Sequence, residues 1–349
     1  MSVSNNKVGV HILFPSELRD AAKLVNSNGG DWGYVTIPIQ INDKNLQKWQ
    51  GFMDSAKENH IIPIVRLATE GNYFEKSAWT QPAENDVLDF ANFLNSLNWP
   101  VKNRYVVIFN EPNRGDEWEG SSDPAGYARI LNYSAKILKS LNQDFFVISA
   151  GLDNGASNEY AFLQGMENAE PGIFDQIDGF GSHSYPNPGF SQPPTYYSSR
   201  NINSFSYELD FVRQFTSKNL PVFITETGWS QAAVSDLTIA SYYRQAFSSV
   251  WSNPNIVAVT PFILNAGAGP FVQFSLLDKN GEPNAQYLAI QNLPKIKGSP
   301  VLNEEKNLEV NEKKEIFSFK NFVTYNIKNL VSFKESDNLK NLFKWLLGI

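Results

Sequence analysis

Eight short apolar runs, each followed by a longer mixed stretch, constrain this chain more than any other feature. The runs cover residues 8–14, 34–39, 61–67, 105–109, 145–150, 177–181, 221–225 and 256–264. Each is rich in Val, Ile and Phe and shows no polar alternation, the pattern of a strand covered on both faces. The stretches between them place apolar residues on one side at helical spacing, over 46–56, 87–97, 209–215 and 239–250. Asp123-Pro124 reads as a helix start, Asp capping and Pro in the first turn. The predicted fold class is therefore α/β, either a closed (β/α)8 TIM barrel or an open doubly wound sheet. No GxGxxG or phosphate-binding loop follows any run, which weakens the open sheet. Residues 1–293 are expected to form the (β/α)8 barrel.

A short C-terminal extension, 294–349, differs in composition. From Lys295 onward there are ten Lys against seven acids, a local charge of +3 in a chain whose net charge is -7. Leu339, Leu342, Phe343, Leu346 and Leu347 share one face of an expected amphipathic helix carrying Lys340 and Lys344. The bland expectation is a tail packed on the barrel or without fixed structure. The sharper one is a helix that contacts a membrane surface or a protein.

Composition excludes several chemistries. There is no cysteine, so no disulfide, thiolate metal site or cysteine nucleophile. The three histidines, His11, His60 and His183, form no HxH or HExxH pattern, and no metal or cofactor is expected. The acidic balance argues against a nucleic-acid partner. No run reaches the roughly 18 residues of a membrane span. The first residues lack the apolar core of a secretion signal. The expected location is outside the cell or in its envelope if a leader precedes them, and the cytoplasm otherwise.

The chemistry of such a barrel lies at the C-terminal ends of its strands. There the sequence offers Arg66, then Asn110-Glu111-Pro112-Asn113, His183-Ser184-Tyr185, Thr225-Glu226-Thr227-Gly228-Trp229 and Asn265. Glu111 and Glu226 stand out, because a carboxylate at the end of a buried strand is costly unless it is paired or hydrogen-bonded. The fourth and seventh strands face each other across an eight-stranded ring, so the two acids can approach one sugar from two sides. Glycoside hydrolysis needs such a pair, one protonated and one ionised. Arg66 is expected to keep Glu226 ionised. Trp32, Trp79, Trp118 and Trp229 are candidates for stacking on sugars, as are Tyr196 and Tyr197 in the loop over 186–203.

The motifs Phe109-Asn110-Glu111-Pro112, His183-Ser184-Tyr185 and Ile224-Thr225-Glu226-Thr227-Gly228-Trp229 resemble those of the clan A glycoside hydrolases in order and placement. The stretch Phe274–Pro283 is similar to the clan's usual ending. The clan includes cellulase-like, β-xylosidase/iduronidase-like and β-galactanase-like families. The resemblance implies a retaining glycosidase acting on an oligo- or polysaccharide, with Glu111 as acid/base and Glu226 as nucleophile. It implies that Asn110 holds the 2-hydroxyl of the reacting sugar and that Tyr185 hydrogen-bonds Glu226, with His183 beside them. The last strand runs Thr260–Asn265 without the tryptophan many members carry there. A transglycosylase with the same residues, or an inactive carbohydrate-binding barrel, are the alternatives.

Overall fold

A computed structural model describes residues 6–70, 79–267 and 269–303. The eight apolar runs become eight strands: β1 (Gly9–His11), β2 (Gly33–Gln40), β3 (Ile61–Ala68), β4 (Arg104–Val107), β5 (Phe145–Ile148), β6 (Phe180–Ser182), β7 (Val222–Ile224) and β8 (Ile256–Val259). All neighbours pair in parallel and in chain order, β1 to β5 in one arc and β6 to β8 in another. Single parallel bridges join the arcs, Ile148 to Gly179 on one side and Val8 to Val259 on the other. The amide of Val259 donates to Lys7 O at 2.9 Å and that of His11 to Pro261 O at 3.0 Å, so β1 lies beside β8. The architecture is a (β/α)8 barrel.

The helices fall between the strands as the periodicity requires: α1 (Leu18–Val25), α2 (Leu46–Glu58), α3 (Glu84–Ser96), α4 (Pro124–Leu141), α5 (Glu159–Ala169), the short α6 (Ile173–Gln176), α7 (Ser204–Val212), α8 (Asp236–Ser248) and α9 (Ala285–Gln291). Asp123 caps α4, its carboxylate accepting from Gly126 N at 2.9 Å, a contact worth about 1 kcal/mol. The expected helix over 209–215 begins and ends earlier than its apolar stripe. Phe215 lies beyond the helix end, packed on Phe174 with ring centroids 6.0 Å apart. No helix among the described residues is long and apolar enough to cross a membrane.

Two sets of contacts position the strand ends. The Tyr127 hydroxyl, fully buried on α4, donates to Ile108 O at 3.1 Å and accepts from Ala150 N at 2.6 Å, fixing the ends of β4 and β5 to each other. Inside the ring Thr36 and Thr260 share a 2.9 Å hydrogen bond, and the Thr260 hydroxyl donates to Thr225 O at 2.8 Å, directly before Glu226.

At the opposite end, Trp32 precedes β2, stacks on His60 with centroids 4.7 Å apart and packs with Tyr34, Ile62 and Tyr105. The barrel's compact unit continues to Asn303. Lys297 bridges Asp31, Leu302 bridges Val101, and the Lys295 ammonium donates to Ile290 O (2.7 Å), Gln291 O (3.0 Å) and Ser27 Oγ (2.9 Å). Burial pushes the Lys295 ammonium down to about 8. The amphipathic helix expected over 339–347 lies outside the described residues.

Candidate active site

The C-terminal strand ends surround a cleft of about 450 Å³, a usual size for a ligand site. Arg66, Asn110, Glu111, Tyr185 and Glu226 all line it. The chain reaches Glu111 through an unusual turn: Phe109 and Glu111 both take positive φ, 66° and 33°. Such conformations cost about 1–3 kcal/mol each in non-glycine residues and gather at functional sites. The Glu111 amide donates to Gly151 O at 3.2 Å, which ties the turn to the loop after β5.

Glu226 is 7% exposed and densely partnered. Arg66 Nη1 donates to its Oε1, and the Tyr185 hydroxyl donates to its Oε2 at 3.1 Å. His11 Nε2 lies 3.6 Å from Oε1 and His183 Nδ1 3.9 Å from Oε2. Burial alone would raise this carboxyl; the charges of His183 and Arg66, with the Tyr185 bond, outweigh it and hold Glu226 well below the usual carboxylate range. His11 is pushed down to about 3 by its complete burial and by Arg66, so it stands neutral beside the carboxylate. Tyr185 is pushed well up, by burial first and then by Glu226, and keeps its proton to donate.

Glu111, also 7% exposed, is held differently. His183 Nδ1 is 2.8 Å from its Oε1 and Arg114 Nη1 donates to its Oε2 at 3.3 Å. Arg114 also binds Asp116 through Nε at 2.9 Å, and that bond above all raises its own affinity for its proton. Burial would lower His183, but the nearby charge of Glu226 and the bond to Glu111 outweigh it and raise it. Gly151 makes room for the His183 ring: a Cβ there would meet Cδ2 at 2.1 Å and Nε2 at 2.7 Å. Gly151→Ala is therefore expected to displace His183 and lower kcat/KM by about 10²-fold. The loss should exceed any change in Tm measured on the same variant.

One oxygen of Glu111, one of Glu226 and a ring nitrogen of His183 lie within 4.8 Å of one another. A small cation would accept that spacing, but Arg66 already supplies positive charge to Glu226 and His183 is bonded to Glu111. Retaining glycosidases separate their carboxyls by about 5–5.5 Å, inverting ones by about 6.5–9.5 Å to admit a water. Here one oxygen of each carboxyl lies within 4.8 Å of the other, short of the inverting range.

The aromatic candidates divide. Trp79 lines the cleft half-buried, and Trp118 forms part of its wall while packing on Phe109 and Tyr127. Trp32 does not reach the cleft, because it enters β2 rather than leaving it and so belongs to the barrel's base. Trp229 is also displaced from the expected role. It is fully buried among Tyr242, Tyr243 and Trp251, and its Nε1 donates to Gln192 O at 2.8 Å. Tyr196 and Tyr197 are exposed and do not line the cleft; Phe190 from the same loop does. Phe262, joined to Ile263 by a cis peptide, lines the cleft where β8 ends.

Sequence reasoning missed His11, Arg114 and Glu117. His11 was detectable as the one polar residue inside the first apolar run. Glu117 and Arg114 lie in the irregular loop after β4, where no periodicity marks them. Glu117 lines the cleft beside Asn110 and Glu111.

No curated protein sequence matches this chain. Solved structures do. A family 39 glycoside hydrolase from the gut symbiont Bacteroides cellulosilyticus WH2 matches with TM-score 0.60 and 18% identity, over 82% of this chain and 62% of that one. The chain thus spans less than two thirds of that protein's length. A monomeric β-xylosidase from Caulobacter crescentus CB15 gives TM-score 0.62 and 15% identity, over 87% and 71%. A fungal β-1,4-galactanase gives 0.58 and 16%, over 84% and 100%. These likenesses are of fold. The sequence profile of the cellulase family matches residues 23–259, a span that includes both cleft glutamates and most of the barrel, so the chain belongs to the cellulase family, glycosyl hydrolase family 5.

Proposed function

We propose that this protein cleaves β-linked oligo- or polysaccharides by double displacement, with Glu226 as nucleophile and Glu111 as acid/base. Glu226 attacks the anomeric carbon while Glu111 gives its proton to the departing glycosidic oxygen. A glycosyl ester on Glu226 results. Water then attacks the same carbon, Glu111 takes its proton, and the Glu226 carboxylate leaves. The configuration inverts twice and is retained. The observation that carries this reading is the asymmetry of the two carboxyls, one oxygen of each lying within 4.8 Å of the other. Glu226 is bound by Arg66 and Tyr185 as an ionised group. Glu111 has only one arginine contact, Arg114 Nη1 at 3.3 Å, beside His183 Nδ1 at 2.8 Å. Asn110, whose Oδ1 accepts from Arg66, offers its amide nitrogen to the reacting sugar's 2-hydroxyl. The neighbours described as a β-xylosidase and as β-1,4-galactanases are named for β-linked sugars, which supports the linkage proposed here.

Proton NMR of the first-formed product should show the β anomer from a β-glycoside substrate. A 2-deoxy-2-fluoro β-glycoside should label the peptide containing Glu226, as read by mass spectrometry. Initial release of the α anomer, or a label on another residue, would overturn the assignment.

A further inference from the structure

We infer that Asn113 is a further positioning residue of the reaction: from behind the cleft wall it ties the turn that carries Glu111 to the segment that pairs with His183, and so sets where the acid stands. This deepens the reading of Glu111 as acid/base and rests on it. The turn after β4 needs an outside hold. Phe109 and Glu111 both take positive φ, 66° and 33°, conformations that persist in non-glycine residues only where the surroundings impose them. Pro112 brings no amide hydrogen to the turn, and within it the Arg114 amide donates to Glu111 O at 2.8 Å. Asn113 supplies the hold. It is 3% exposed, and its side chain makes both hydrogen bonds to the backbone of one residue. Its Nδ2 donates to Asp153 O at 3.0 Å, and its Oδ1 accepts from Asp153 N at 3.0 Å. That is the pairing of a neighbouring strand, made here by a side chain. Turned over, the amide would set donor against donor and acceptor against acceptor, so it has one orientation.

Asp153 is also the backbone partner of His183, through a parallel bridge. The His183 ring in turn meets the Glu111 carboxyl, Nδ1 to Oε1 at 2.8 Å. A closed circuit results: from Glu111 along the chain to Asn113, across to Asp153, across again to His183, and back to Glu111. Asn113 is itself held by Asn158, just before α5, whose Nδ2 donates to Asn113 O at 2.8 Å. Without the Asn113 side chain the turn keeps the bond from the Glu111 amide to Gly151 O but loses its hold beyond the glutamate. Glu111 is then free to move off His183. Glu226 stays in place, because Arg66 on β3 and Tyr185 after β6 bind it from other strands. The loss therefore falls on proton transfer to the leaving group and spares the nucleophile.

The test compares wild type, Asn113→Ala and Asn158→Ala on the phenyl and 2,4-dinitrophenyl β-glycosides of a sugar that the wild type accepts. In Asn113→Ala, kcat/KM for the phenyl glycoside should fall by about 10²-fold, the scale of a misplaced catalytic group. The 2,4-dinitrophenyl glycoside needs little protonation and should lose far less. Labelling of Glu226 by a 2,4-dinitrophenyl 2-deoxy-2-fluoro glycoside should keep its wild-type rate. Asn158→Ala should show the same dependence on leaving group with a smaller loss, and it decides the matter if Asn113→Ala does not fold. Equal losses on the two glycosides, or no loss on either, overturn the inference. If the wild type cleaves neither, the proposed function fails on its own, and the crystal structure of the variant decides Asn113. Glu111 Oε1 displaced beyond hydrogen-bond reach of His183 Nδ1 supports the inference; the 2.8 Å contact left intact overturns it.

Discussion

Replacing Glu226 with alanine is expected to lower kcat by about 10⁴-fold or more, because the covalent route is lost with the nucleophile. Replacing Glu111 with alanine should cost about 10²–10⁴-fold on an unactivated substrate, the usual scale of acid/base assistance. Azide separates the two roles by stereochemistry. In Glu226→Ala the anion fills the space of the lost carboxylate and attacks once, giving a glycosyl azide of inverted configuration. In Glu111→Ala the glycosyl ester on Glu226 still forms from an activated glycoside, and azide attacks it, giving the retained azide. Anomer assignment of the two products by NMR checks both roles together. Retained product from Glu226→Ala, or no rescue of either variant, would reverse or abolish the assignment.

Arg66→Met is expected to act on rate, pH dependence and stability together. Arg66 binds Glu226 and Asn110 at once and is itself 6% exposed. Losing a preorganised charged donor of this kind costs about 10²–10³-fold in rate. The sign of the pH effect is fixed by the Glu226 carboxylate. It is held low in the folded protein, and activity that requires its ionised form is lost only when pH falls through that low value. Without the guanidinium the proton binds more readily, so the acid limb of kcat/KM moves up in pH. Removing one member of a buried pair also leaves the other charge uncompensated, a cost of about 3–5 kcal/mol that should lower Tm. Arg66→Lys should recover the charge but not the two-pronged geometry, and so part of the rate. An unchanged acid limb would show that Arg66 does not hold Glu226 ionised.

The strands were legible because a parallel barrel covers both strand faces, which leaves uninterrupted Val, Ile and Phe runs at all eight positions. The two glutamates were legible for the complementary reason: an acid closing such a run has no apolar purpose. Strand ends were less so, since β1 covers only Gly9–His11 of a run extending to Phe14. The aromatics illustrate the limit most clearly. Composition identifies a tryptophan but not its side of the wall. Trp229, three residues beyond Glu226, turns outward to α8, and Trp32 belongs to the end opposite the cleft. Arg114 and Glu117 were invisible because their places depend on the path of an irregular loop, including the positive φ at Glu111, and not on any repeating pattern.

The eight strands form two arcs that meet at single bridges, and the two glutamates belong to different arcs, Glu111 following β4 and Glu226 following β7. The distance an attacking oxygen must cross is therefore a property of the two seams that join the arcs as well as of either glutamate's own strand. Like the jaws of a vice, the carboxyls are set by the frame that joins them. Arg66, rooted in one arc and clasping an acid from the other, is a cross-tie between the two halves of that frame.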